Sequence, residues 1–228
     1  MFDTQQLFDF RNKPLYQRLS EEYEIDIFLD FDGDTYAHFI NNHLTIRIDQ
    51  KEWNAHTLTH ELLHAALRIE GFRFQSDLKV VLNEKNLSIE NQDEYLEYIS
   101  NWFDHRLMLP RYLKMGYNKK SFLRDSTLNK FALSDAFNLF LNQFLLNERY
   151  FKIIVAKYFS TISDPFRNRY VLQRFILNRR HPDLYTLLNQ VDLCLTLLIK
   201  KGFETEEYDN CLQGTLKIFQ WIKSNSIQ

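Results

Sequence analysis

Apolar and polar residues alternate with a period of two in only one part of the chain. Ile25-Asp26-Ile27-Phe28-Leu29-Asp30-Phe31 alternates, and Asp32-Gly33-Asp34 then reads as a turn. Thr35 to Ile40 follows, Asn41-Asn42 reads as a second turn, and His43-Leu44-Thr45-Ile46-Arg47-Ile48 alternates again. This pattern predicts a small three-stranded antiparallel sheet, connected as a meander. A helix over about 12–23 precedes it.

From residue 50 the period becomes helical. Asp49 and Glu52 have the spacing of a capping box, and Gly71 stands where a C-cap glycine belongs. Between them the pattern predicts a helix of about five turns with Leu58, Leu62, Ala65 and Ile69 on its apolar face. Residues 72–90 read as irregular. A second helix is expected over about 91–108, with Leu96, Ile99, Phe103 and Leu107 as its stripe and Pro110 ending it. From about Ser121 the pattern is helical to the end, with helices expected over 133–146, 148–161, 165–179, 183–201 and 205–224. The fold class is therefore α+β: a sheet and two helices in a domain over 1–118, then an all-α bundle over 119–228.

Composition supports this reading. Glycine is 5 of 228 residues, well below its usual share of roughly 7%, which disfavours a many-stranded sandwich or barrel. A net charge of −2 excludes a generally basic nucleic-acid binder. Two cysteines, Cys194 and Cys211, cannot build a disulfide framework or a cysteine-rich zinc module. No secretory signal begins the chain, and no apolar run approaches the ~20 residues that span a bilayer. A cytoplasmic protein without membrane association is the expectation.

The stretch that carries chemistry is His60-Glu61-Leu62-Leu63-His64, an H-E-x-x-H on the first long helix. Four residues is just over one helical turn, so both imidazoles leave one face and can share a metal. Glu61 stands between them as a candidate general base, able to take a proton from a water attacking a carbonyl. A catalytic zinc site needs a third protein ligand. The second helix offers Glu94, Glu97, Asn101, Asp104 and His105 along one side. Glu97 and His105 are about 12 Å apart along that axis, so only one of them can reach the ion.

His60-Glu61-Leu62-Leu63-His64, followed by Glu97-Tyr98-Ile99-Ser100-Asn101-Trp102-Phe103 and Leu107-Met108-Leu109-Pro110, resembles the ImmA/IrrE-like zinc peptidases. That family is a minimal gluzincin, with an H-E-x-x-H helix and a later E-x-x-A-N-x-F-A segment closing on L-L-M-P. The resemblance implies Zn²⁺ held by His60, His64 and Glu97, with Asn101 supporting the site. His105 then stabilises an oxyanion, or replaces Glu97 as ligand; Glu94 is a further alternative. Tyr98 and Tyr117 are candidate oxyanion partners, and His56 a residue near the site. The resemblance also implies a protein or peptide substrate and limited proteolysis of a regulator, with His43–Ile48 as the edge strand along which an extended peptide pairs. The chain departs from the family in having no glycine within H-E-x-x-H, and in carrying Ser100 and Asp104 at the small positions of the second segment.

The second half has no metal or nucleophile motif. Arg167-Asn168-Arg169-Tyr170, Arg174 and Arg179-Arg180-His181 form a basic stretch with interleaved aromatics, and Arg174 with His181 loosely resembles the signature of HEPN ribonucleases. Three functions follow in order: a zinc metallopeptidase, a non-hydrolytic regulatory module on the same fold, and a helical protein that handles nucleic acid.

Overall fold

The computed structural model describes residues 4–31, 33, 35–87, 89, 91–123, 130–141, 147–203 and 205–226. In chain order the elements are α1 (Lys13–Ser20), β1 (Glu24–Asp30), β2 (Tyr36–Ile40), β3 (His43–Asp49), α2 (Ala55–Ile69), α3 (Phe74–Glu84), α4 (Gln92–Lys114), α5 (Leu133–Leu141), α6 (Glu148–Ser163), α7 (Val171–Arg180), α8 (Pro182–Lys201) and α9 (Glu206–Asn225). The fold is α+β and mainly helical. Among the described residues no helix is long and apolar enough to cross a membrane. The chain divides into two compact units, 1–72 with 108–127 and 73–107 with 128–228, where the sequence suggested a single boundary at 118/119.

In the first unit the sheet is mixed, not antiparallel, with strand order β1-β3-β2. β1 runs parallel to β3, pairing Ile25 with Leu44 and Ile27 with Ile46. β2 runs antiparallel to β3, pairing Ala37 with Ile46. Asn41, at φ 54°, turns the tight β2–β3 hairpin in the left-handed region that asparagine tolerates. The reason for this order lies in the side chains. β3 alone buries its whole inward set, Leu44, Ile46 and Ile48, completely, so it takes the centre. His43–Ile48 is therefore not an edge strand, and the unpaired ladders of this sheet are the outer edges of β1 and β2. Of the expected Asp32-Gly33-Asp34 turn only Gly33 lies within the described residues, at φ 94°.

α2 packs against this sheet through Leu58, Leu62, Ala65 and Ala66, which join Leu19 of α1 and the β3 residues in one buried cluster. Asn54, not Asp49, is the N-cap of α2. Asp49 accepts from Lys51 N in a short 3₁₀ turn, and Asn54 caps α2 by accepting from Thr57 N at 3.0 Å. α2 is correspondingly shorter than the five turns expected. Gly71 does close it: at φ 91°, its N–H donates to Arg68 O while Phe72 N donates to Leu67 O, the paired bonds of a Schellman motif.

The second unit contains α3, which the sequence had left irregular. Phe74, Leu78 and Leu82 recur every fourth residue and are all buried, and Phe74 meets Phe103 of α4 at 4.8 Å. α4 buries Leu96, Ile99, Phe103 and Leu107 as its stripe predicts. It does not stop before Pro110 but continues to Lys114 with that proline inside. Pro110 removes one backbone bond, to the Arg106 carbonyl, and burial of Met108 and Tyr112 offsets that loss. α4 runs from Gln92 to Lys114.

The expected helix over 165–179 is divided by Asp164. This buried carboxylate accepts from Phe166 N at 2.6 Å, Arg169 Nη2 at 2.7 Å and Tyr170 Oη at 2.8 Å, and holds a 3₁₀ turn over Arg167–Tyr170 before α7 begins. Residues 142–146 of the helix expected over 133–146 lie outside the described residues. Asn54→Ala is expected to lower stability by about 1 kcal/mol through loss of the α2 cap, as measured by denaturant unfolding.

Candidate metal centre

The leucines of α2 decide where its histidines go. With Leu58 and Leu62 buried against the sheet, His60 and His64 emerge from the other side, their ring centroids 5.1 Å apart. The His60 ring also lies 5.0 Å from the buried Phe122. Both rings are half-buried.

A polar chain anchors this part of α2. The Thr59 hydroxyl lies 2.6 Å from Ala55 O and 2.9 Å from Tyr117 Oη, and Tyr117 Oη donates to Asp9 at 3.0 Å. Arg11 covers the Tyr117 ring at 3.7 Å and donates to Asp9 and to the Gly116 carbonyl. Burial, reinforced by Asp9, pushes the Tyr117 hydroxyl up to about 12, which suits a permanent donor. Tyr117 is therefore engaged in holding the helix. Its pairing with Thr59 spans 58 positions of sequence, and no local signal announces it.

The third histidine is His105 of α4. One ligand nitrogen from each of His60, His64 and His105 lies within 4.8 Å of the others, so the triad could hold a metal ion. His105 is 6% exposed and packs on Trp102, one turn earlier, with ring centroids 5.5 Å apart. Glu97, Asn101 and Glu94 are exposed, and neither glutamate belongs to the cluster. Glu97 and His105 are two turns apart on one helix, and the residue that joins the cluster stands in its buried second half. The signal lay in the neighbours: Trp102, Phe103, Leu107 and Met108 surround His105 in sequence, whereas Glu94 and Glu97 stand in the more polar first half. Tyr98 is exposed and meets the edge of Trp102 at 5.6 Å.

Glu61 is buried, 6% exposed. Burial is the main cause that pushes its carboxyl up to about 7; Glu52 adds to this, and His64 opposes it. Glu52 is itself positioned by Thr35, whose hydroxyl donates to it at 3.0 Å while accepting from Asp49 N. His56 is half-buried and outside the cluster. Burial holds its pKa below the ordinary histidine value, with Arg11 acting the same way and Glu52 against.

The donor set fits a transition-metal ion. Imidazole nitrogens that share such an ion at bonds of about 2.0–2.1 Å stand roughly 3.4 Å apart, and the three candidate atoms here lie within 4.8 Å of one another. Three imidazoles would leave room on such an ion for a further ligand. His105→Ala is expected to weaken binding of Co²⁺, read from its visible spectrum, by more than about 100-fold. Glu97→Ala is expected to leave that affinity unchanged. No known protein family, no curated protein and no solved structure matches the chain.

Proposed function

We propose that this protein is a zinc-dependent hydrolase acting on peptide bonds, with His60, His64 and His105 as the zinc ligands and Glu61 as general base. The observation that carries the reading is the convergence of three histidine nitrogens from α2 and α4 within 4.8 Å, on a helix whose motif also supplies the carboxylate. Zinc, when bound, supplies a Lewis acid that polarises a carbonyl and lowers the pKa of water toward ~7. Glu61 takes the proton of the attacking water and returns it to the leaving amine. The peptide class comes from the resemblance of the H-E-x-x-H segment to zinc peptidases, and limited proteolysis of a regulator follows from the same resemblance. The ligand set differs from the gluzincin pattern in its third member, a histidine in place of Glu97. With β3 central, an extended substrate would pair along an outer edge of the sheet.

A non-hydrolytic metal site is the second reading, favoured by the burial of both Glu61 and His105. The basic stretch gives less support to nucleic-acid handling. Arg169 is tied to Asp164, Arg174 donates to the Thr161 carbonyl at 3.2 Å, and the His181 ring packs on Phe151 at 5.5 Å.

The purified protein is expected to carry one zinc per chain by elemental analysis. Glu61→Gln should retain that zinc while peptide hydrolysis falls by about 10²–10⁴-fold. Absence of zinc from wild type would sink the proposal, as would a Glu61→Gln variant that cleaves as fast as wild type. Zinc retained with no cleavage by wild type of any peptide in a diverse pool would select the non-hydrolytic reading.

A further inference from the structure

Both cysteines of the chain stand in one helical hairpin: Cys194, half-buried, on α8 and Cys211, buried, on α9. Residues 202–205 join the two helices. Gly202 turns at φ 88°, and the Thr205 hydroxyl donates to its carbonyl at 3.0 Å. Two contacts set the register of the antiparallel pair. Lys201 pairs with Glu207 beside the turn. Further along, Gly214 comes so close to Val191 that a Cβ at 214 would stand 3.0 Å from Val191 Cγ2.

In antiparallel helices, three residues forward on one and three back on the other reach the same level. From Val191 and Gly214, that step lands on Cys194 and Cys211. The glycine contact holds the helices close one turn away, as a disulfide requires, since its Cα atoms must stand about 4.4–6.8 Å apart. By this register the two cysteines of the chain stand at one level of the hairpin, one turn from its glycine contact.

We propose that Cys194 and Cys211 form a redox-responsive dithiol, which a low-molecular-weight disulfide such as oxidised glutathione converts into a cross-link between α8 and α9. The more accessible Cys194 thiolate attacks one glutathione sulfur, forming a mixed disulfide and expelling the other as a thiolate. The Cys211 thiolate then attacks the Cys194 sulfur and expels the second glutathione thiolate. Two protein thiols are oxidised, one glutathione disulfide is reduced to two thiols, and the two protein protons pass to them. Burial raises both thiols above the ordinary cysteine range. Glu207 adds to this at Cys194, and Cys194 itself at Cys211. Since the thiolate is the attacking form, exchange is slow and calls for a long incubation.

The test incubates the full-length, reduced protein overnight with oxidised glutathione, followed by intact mass, non-reducing peptide mapping and a thermal scan. The expected product is monomeric, lighter by two hydrogens and linked Cys194 to Cys211. Its melting temperature should rise by about 5–10 °C, because the link restrains the unfolded chain, and dithiothreitol should reverse the rise. Cys211→Ser should stop at the mixed disulfide on Cys194. Wild type that stops at the mixed disulfide, joins two chains, keeps both thiols free or gains no thermal stability would overturn the proposal.

Discussion

The first unit depends on one constraint, the double use of α2. Its leucines and alanines must bury against β3, and the same helix must present two imidazoles one turn apart on the other side. A helical period of 3.6 satisfies both demands only if the helix cannot rotate. The buried set fixes that rotation: Leu58, Leu62, Ala65 and Ala66 close against Leu44, Ile46 and Ile48. The ends add to it. Asn54 accepts from Thr57 N at the start, and Gly71 and Phe72 donate to the carbonyls of Arg68 and Leu67 at the end. The Thr59–Tyr117–Asp9 chain then pins the turn that carries His60.

The centre combines polar groups with deep burial. Glu61 and His105 are nearly as hidden as the leucines around them, and a buried charge persists only where a partner or an ion stabilises it. A carboxyl raised toward neutrality by burial, beside a set of ring nitrogens, is the kind of local conflict that accompanies function. The bundle treats its own buried charge differently. Asp164 has three donors around it and serves to shape a turn, so burial there is fully compensated.

Part of this was legible in the residues. The strands, the two histidines on one helical face, the α4 stripe and Gly71 as helix terminator all follow from local periodicity or backbone preference. The differences between local pattern and fold share a cause. Alternation marks β3 as a strand but says nothing of its neighbours, and both neighbours were needed to see that it is central. Pro110 is a valid stop signal locally, yet burial of Met108 and Tyr112 carries the helix past it. α3 has Phe74, Leu78 and Leu82 at helical spacing, but the polar residues between them dilute a short pattern. Asp49 and Glu52 have the spacing of a capping box, but Asp49 opens a short 3₁₀ turn and Asn54 caps the helix.

The amino-acid sequence by itself determined the α+β class, the helix with H-E-x-x-H and the face on which His60 and His64 stand. Each of these rests on residues within a turn or two of one another, where backbone geometry converts spacing into direction. Only the tertiary structure shows that His105, and not Glu97, stands in one cluster with His60 and His64. Both lie on the same helix at compatible spacing, and spacing alone does not distinguish them. Burial does: His105 belongs to the apolar, buried second half of α4, whereas Glu97 belongs to its polar first half and is exposed.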